Sequence, residues 1–357
     1  MKRIVFGFLV LVALLVSACA GAEPTPAAEE APAAEQPTAE STPAEAAVDE
    51  TIRIGYVVHV TGIEFTAIVE QGARDAAADY GVDLVFTGPP ATDNVAQIAE
   101  FDALLETDLD GIVFIAGDPA VWAEPVQRAK DKGIVVLTAD ADAPDTARDA
   151  FFGVDATWLG KTLGEKVRSL MGDTGKIVLG VCVIGPESHI LREEGFRSAF
   201  AGTSVEFVGP YETVCDSAQN YSNWQSAYTA NQDAAALVGL TAVETASLGR
   251  LKEDVGGNFV VASFDPGAEG LRQLMDGYIN VTVGQNPYLA GYIPVQAIVK
   301  HVREGKEIIP GKNLYPGEVI LPEDAESLID RAKGGEPQRE WYRTFIDEND
   351  LRSFGLK

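Results

Sequence analysis

Basic residues are scarce in this chain: 27 lysines and arginines stand against 54 aspartates and glutamates, a formal net charge of −27 over 357 residues. Setting aside Lys2, Arg3 and the eight acids between Glu23 and Glu50 leaves −21 for the remainder. A body this acidic repels phosphate backbones, which argues against a nucleic-acid partner. Histidine is scarcer still. His59, His189 and His301 stand singly, none at metal-ligand spacing. The sequence has no Gly-Lys-Ser/Thr phosphate loop, no dinucleotide glycine fingerprint after its first strand and no His-Glu-x-x-His pair, so neither a nucleotide cofactor nor a metal is expected. Gly172-Asp173-Thr174-Gly175-Lys176 falls between a helix and a strand and reads as a turn. No serine sits in a nucleophile elbow and no cysteine has an evident histidine partner. Paired acids for glycoside hydrolysis cannot be judged from spacing along the chain, and an enzyme is the weaker reading.

Long apolar runs are also lacking after the start. Lys2 and Arg3 precede an apolar run from Ile4 to Val16, shorter than the roughly 20 residues a membrane-spanning helix needs, so residues 1–18 read as a cleaved signal peptide. Val16-Ser17-Ala18-Cys19 resembles a bacterial lipobox, with Cys19 as the acylated residue. Residues 19–50 are almost entirely Ala, Pro, Glu, Thr and Gly, with no basic residue, and cannot offset their ordering entropy by burial. They read as a linker holding an exported body to the outer side of a membrane through lipid. With Cys19 so assigned, Cys182 and Cys215 remain as an even pair. Export permits a disulfide between them, and two buried thiols are the alternative.

From Thr51 onward, short β-rich apolar runs alternate with longer amphipathic stretches. Thr51–Val58, Val82–Phe86, Gly111–Ile115 and Ile134–Thr138 read as strands, with helices Phe65–Ala78, Asn94–Leu105 and Val121–Lys132 between them. The alternation restarts after Gly153. It runs through helix Leu159–Met171, the strand ending at Val181, helix Ile190–Ala201, a strand near Phe207, helix Ala218–Ala230 and strands Ala235–Leu240 and Phe259–Ser263. Helix Gly267–Asp276, strand Ile279–Val283 and helix Tyr288–Val302 complete it. The expected fold class is therefore α/β, with two doubly wound parallel-sheet lobes. In such sheets ligands sit beyond the carboxyl ends of strands, which directs attention to His59, Asp118, Asp140, Asp142, Asp265 and Gln285. For Asp118 and Asp142 a capping or turn role serves equally well.

Five segments, in register over most of residues 51–305, resemble the ribose-type sugar-binding proteins of bacterial ABC importers, the type I periplasmic binding proteins. They are Ile54-Gly55-Tyr56-Val57-Val58 with the helix carrying Gln71-Gly72-Ala73, Val136 to Pro144, Arg192-Glu193-Glu194-Gly195-Phe196, Ser263-Phe264-Asp265, and Gly284-Gln285-Asn286-Pro287. Sugar-responsive repressors share this fold, but the signal and acidic tail occupy the place of their DNA-binding headpiece. The resemblance implies that Phe65 stacks on a sugar and that Asp140, Arg192, Asp265 and Gln285 bind its hydroxyls, with Phe264 walling the pocket. His59 and Thr241 are further candidates, and Glu244 shares the loop of Thr241. Ala141 stands where relatives often carry Arg or Ser, so the ligand can differ from ribose. Trp224 is expected to pack on its helix.

The resemblance further implies a three-segment hinge near Gly153–Asp155, Gly284–Gln285 and Tyr315–Glu318. It gives one lobe of residues 51–154 plus 286–316 and a second of 155–285 plus 317–357. A monomer would close on a monosaccharide and deliver it unaltered to a permease and its ATPase. Alternatives are another polyol-like ligand (a cyclitol, a nucleoside or a furanosyl signalling molecule), a sensor subunit, or a tethered glycoside-processing enzyme. Residues 321–357 exceed what the simplest relatives have, and their aromatics suggest that the segment packs back on a lobe.

Overall fold

The computed structural model describes residues 51–357. The segments expected to be a signal peptide and a linker, with Cys19, fall outside the described residues. Among the described residues, no helix is long and apolar enough to cross a membrane.

The first sheet is built from β1 (Arg53–Val57), β2 (Asp83–Thr87), β3 (Gly111–Phe114), β4 (Val135–Ala139) and β5 (Ala150–Gly153). The second is built from β6 (Thr174–Val181), β7 (Ser204–Glu212), β8 (Ala236–Gly239), β9 (Val260–Phe264) and β10 (Val281–Gly284). Two late strands, β11 (Gly311–Leu314) and β12 (Glu318–Ile320), complete one sheet each. The orders are β11-β5-β4-β3-β1-β2 and β12-β10-β9-β8-β6-β7. All pairings are parallel except β12 on β10. Strands such as Gly111–Phe114 and Ala236–Gly239 are buried along their whole length, as a sheet covered by helices on both faces requires.

Three strands went unpredicted: β5, β11 and β12. So did the helix Val243–Val255, whose Thr245, Ser247 and Gly249 weaken a helical signal that Leu248 and Leu251 alone must carry. The chain leaves the first sheet after Gly153, returns to its helices at Pro287 and leaves again after Leu314. The C-terminal segment, expected in the second lobe from 317 to 357, divides instead. Its 3-10 turn Pro322–Leu328 buries Ala325 and Leu328 in a cluster with Leu271 and Leu274 of the second lobe. Its helix Gly335–Glu348 stacks Tyr342 on Tyr288, with ring centroids 4.2 Å apart, on the first-lobe helix Pro287–Glu304.

In the second lobe, helix Ala156–Met171 lies against helix Glu187–Ser198 so closely that only glycine fits at the crossing. A Cβ on Gly160 would stand 1.9 Å from the Arg192 carbonyl, and one on Gly195 would stand 2.2 Å from the Thr157 carbonyl. This contact fixes the helix that carries Arg192.

Candidate ligand-binding cleft

The strand ends of the two sheets face one another, and the loops beyond them form the cleft. Asp140 follows β4 and Asp265 follows β9, both with left-handed backbone (φ 59° and 46°), as does Asn286 after β10 (φ 54°). Asp and Asn tolerate this conformation better than other residues with a side chain, which accounts for the residue types found there.

Arg192 is the centre of the site. Its side chain is 2% exposed, and its guanidinium lies 5.0 Å from the centroid of the Phe264 ring. It donates to the Gln285 side-chain oxygen and, at 3.3 Å, to the Leu240 carbonyl, and it lies 3.7 Å from Asp140 of the opposite lobe. Asp265 in turn accepts from the Gln285 backbone N–H at 2.8 Å and from its side-chain amide at 2.6 Å. Burial pushes the carboxyls of Asp140 and Asp265 up to about 6, against the pull of Arg192 on both and of the Gln285 donors on Asp265.

His59, Phe65, Asp140, Arg192, Thr241 and Gln285 all line one cavity between the lobes, of about 30 Å³. That is room for one or two waters, so the walls stand nearly in contact. Phe264 and Asp265 do not line this cavity. Phe264 is fully buried under the Arg192 guanidinium, and Asp265 stands behind Gln285 and orients it. Thr241 is committed to its own lobe: its hydroxyl donates to Glu244 and its backbone N–H donates to the same carboxylate at 3.1 Å. Glu244, buried and also accepting from Thr213 at 2.6 Å, is pushed up to about 7 by desolvation.

His189 also lines the cavity, a residue that sequence reasoning missed. Its Nδ1 lies 2.9 Å from the Val183 carbonyl. No local pattern marks it, because His59 and His189 are 130 positions apart and converge only through the fold. Burial drives both imidazoles down, His59 to about 4 and His189 to about 3, so both are neutral near pH 7. Buried polar atoms without a protein partner include His59 Nδ1, Arg192 Nε and Ser188 Oγ. Asp142 and Asp118 do serve as turn residues: Asp142 pairs with Arg148 and accepts from Thr138 at 2.7 Å, while Asp118 accepts from the Ala120 N–H at 3.0 Å. Trp224 is fully buried in the second-lobe core.

Outside the cavity a groove of about 620 Å³ leads to solvent, between Thr61 and Thr92 of the first lobe and Glu212 and Asp216 of the second. Cys182 and Cys215 meet on its wall as a disulfide, with Cα atoms 4.7 Å apart. At the rim, Ala268 donates its N–H to Glu64 across the lobes at 3.3 Å, and Lys312 pairs with Glu187 at 3.4 Å.

Residues 54–307 match the model of the periplasmic binding protein domain. The chain belongs to that family. The relatives it matches are substrate-binding proteins rather than enzymes. The xylose/arabinose-binding protein XylF of Sulfolobus acidocaldarius is 21% identical over 74% of this chain and 73% of that protein. The ribose import binding protein RbsB of Bacillus subtilis is 20% identical over 86% and 95%. A solved ABC transporter solute-binding protein from Burkholderia graminis C4D1M, in complex with D-arabinose, shares the fold with a TM-score of 0.73. It is 23% identical, over 77% of this chain and 97% of that one.

Proposed function

We propose that this binding protein captures a monosaccharide in the cleft and delivers it unaltered to an ABC permease, as a monomer held to the membrane through Cys19. The observation that carries the reading is the buried polar chain Asp140–Arg192–Gln285–Asp265, which runs from one lobe into the other around a cavity also lined by Phe65. A ligand that replaces the Asp140–Arg192 contact touches both lobes at once and so favours the closed form. Ionised carboxylates and neutral imidazoles offer acceptors to sugar hydroxyls, the guanidinium offers paired donors, and the Phe65 ring suits the C–H face of a sugar ring. A solute lacking a matching hydroxyl would leave buried groups unpaired, which gives selectivity. Sugar-binding relatives such as the xylose/arabinose- and ribose-binding proteins support the substrate class.

The test is a thermal-shift and calorimetric screen of pentoses, hexoses and cyclitols, with each ligand recovered afterwards. A monosaccharide that raises the melting temperature and is returned unchanged is expected. Silence across the panel, or turnover of a ligand, overturns the reading. Anchoring through Cys19 predicts that labelled fatty acid is incorporated into the exported protein and lost in Cys19→Ala.

A further inference from the structure

The family match ends at residue 307, yet the chain beyond it ties the lobes together a second time. Residues Glu318–Leu328 are packed on the second lobe, and the helix Gly335–Glu348 is pinned to the first. There Arg339 pairs with the buried Asp75, Arg343 with Asp79 at 2.7 Å, and Tyr342 stacks on Tyr288. Between these anchors the chain crosses from one lobe to the other through Arg331 to Gly335, turning at Gly334 and Gly335, both of positive φ. This crossing runs alongside the other two near it. Arg331, 8% exposed, donates to Glu318 at the start of β12 and, at 3.4 Å, to the Asn286 side-chain oxygen. Asn286 itself donates to the Pro316 carbonyl at 3.4 Å. One guanidinium therefore holds the crossing after β10 and the crossing before β12 in fixed relation, next to Gln285 of the binding cleft. Gln338 closes the arrangement by donating to the Arg331 carbonyl at 2.9 Å.

We propose that Arg331–Gly335 is a fourth crossing of the hinge and that Arg331 is a positioning residue for closure. Acting through Asn286 and Glu318, it keeps the free lobes close to the closed register, so that less of the binding energy is spent on closing them. Five residues reach at most about 17 Å, so the tether also caps how far the jaws open. The consequence for affinity rests on the capture function proposed for the cleft. The hinge restraint does not, and it can be read without any ligand.

The experiment places spin labels on the full chain, one on each lobe at exposed positions (Asp131→Cys and Glu253→Cys), and measures the distance distribution of the free protein. Two variants are compared with the parent: Arg331→Ala, and a Gly-Ser-Gly-Ser insertion between Gly334 and Gly335, which leaves Arg331 in place but adds roughly 14 Å of slack. Both are expected to shift the free distribution outward, and Arg331→Lys to restore part of the shift. For a sugar found in the screen, Kd should rise about ten-fold, as a smaller closed fraction demands. If Arg331→Ala folds and leaves the free distribution unchanged, the proposal is overturned. If that variant does not fold, an unchanged distribution in the insertion variant overturns it equally. Absence of sugar binding by the parent would refute the capture function, while the free-state distances would still decide the hinge restraint.

Discussion

Asp140 in the first lobe and Asp265 in the second stand at the same point of the same motif. Each ends the strand before it in a left-handed turn, and each donates its backbone N–H at 3.1 Å to the neighbouring strand, Asp140 to Phe152 and Asp265 to Val283. Their side chains live differently. Beside Asp265 the neighbouring strand is followed by Gln285, which donates to it twice. The corresponding residue beside Asp140 is Val154, which can donate nothing from its side chain. The nearest cation to Asp140 is Arg192, 3.7 Å away in the other lobe. The second-lobe half of the site is thus wired within itself, whereas the first-lobe half is completed only across the cleft. A ligand is therefore expected to find Arg192, Gln285 and Asp265 already in place and to recruit Asp140 as the jaws come together.

Arg192→Ala breaks both halves at once and carries the largest expected effect. It leaves two buried carboxylates without their cation, so ligand affinity should fall by about 3–5 kcal/mol by calorimetry. Retained affinity would mean that the second lobe does not organise the site. The self-contained wiring of the second lobe extends to its disulfide. Removing it with Cys182→Ser and Cys215→Ser, 33 positions apart, should lower stability by about 3–4 kcal/mol in denaturant titrations. The two aspartates can then be set against each other. Asp265→Asn, which disturbs the orientation of Gln285, should weaken binding by about 2 kcal/mol, and Asp140→Asn by about 1 kcal/mol. The reverse order would break the comparison.

The smallest effect is in the pH profile. Burial raises Asp140 from its ordinary 3.8 to about 6 in the folded chain, so between these values the folded state binds more protons than the unfolded one. Its contribution to stability is present below pH 3.8 and is lost as the pH rises through about 6. The neutral histidines His59 and His189 tilt the profile the other way, so the readout is the difference between parent and variant. Melting temperatures of the parent should fall relative to those of Asp140→Asn between pH 4 and 6, and parallel profiles would rule out the raised carboxyl.

Much of the architecture was legible because alternating buried strands and amphipathic helices leave a strong period in the sequence. Where the period is short or broken, reading failed for physical reasons. The edge strand Gly311–Leu314 contains Lys312 and Asn313 and exists through its pairing with Ala150–Gly153 rather than through its own composition. The Asp and Gln residues at strand ends could be named from the resemblance, and Arg192 with them. The distinction between groups that face the cavity and those that stand behind them, Phe264 and Asp265, depends on side-chain direction, which the sequence does not carry. The C-terminal aromatics announced packing. The division of that segment between the two lobes depends in part on Asp75 and Asp79, ion partners each 264 positions from its arginine.

The glycine pair at 160 and 195 has an evolutionary corollary. With two helix backbones in direct touch there, the stem that presents the guanidinium cannot be shifted or tilted by neighbouring substitutions without collision. Diversification of taste among descendants of this sequence should therefore accumulate in the loops that surround that fixed post, at His59 and the turn from Thr241 to Val243, while the post itself stays where it is.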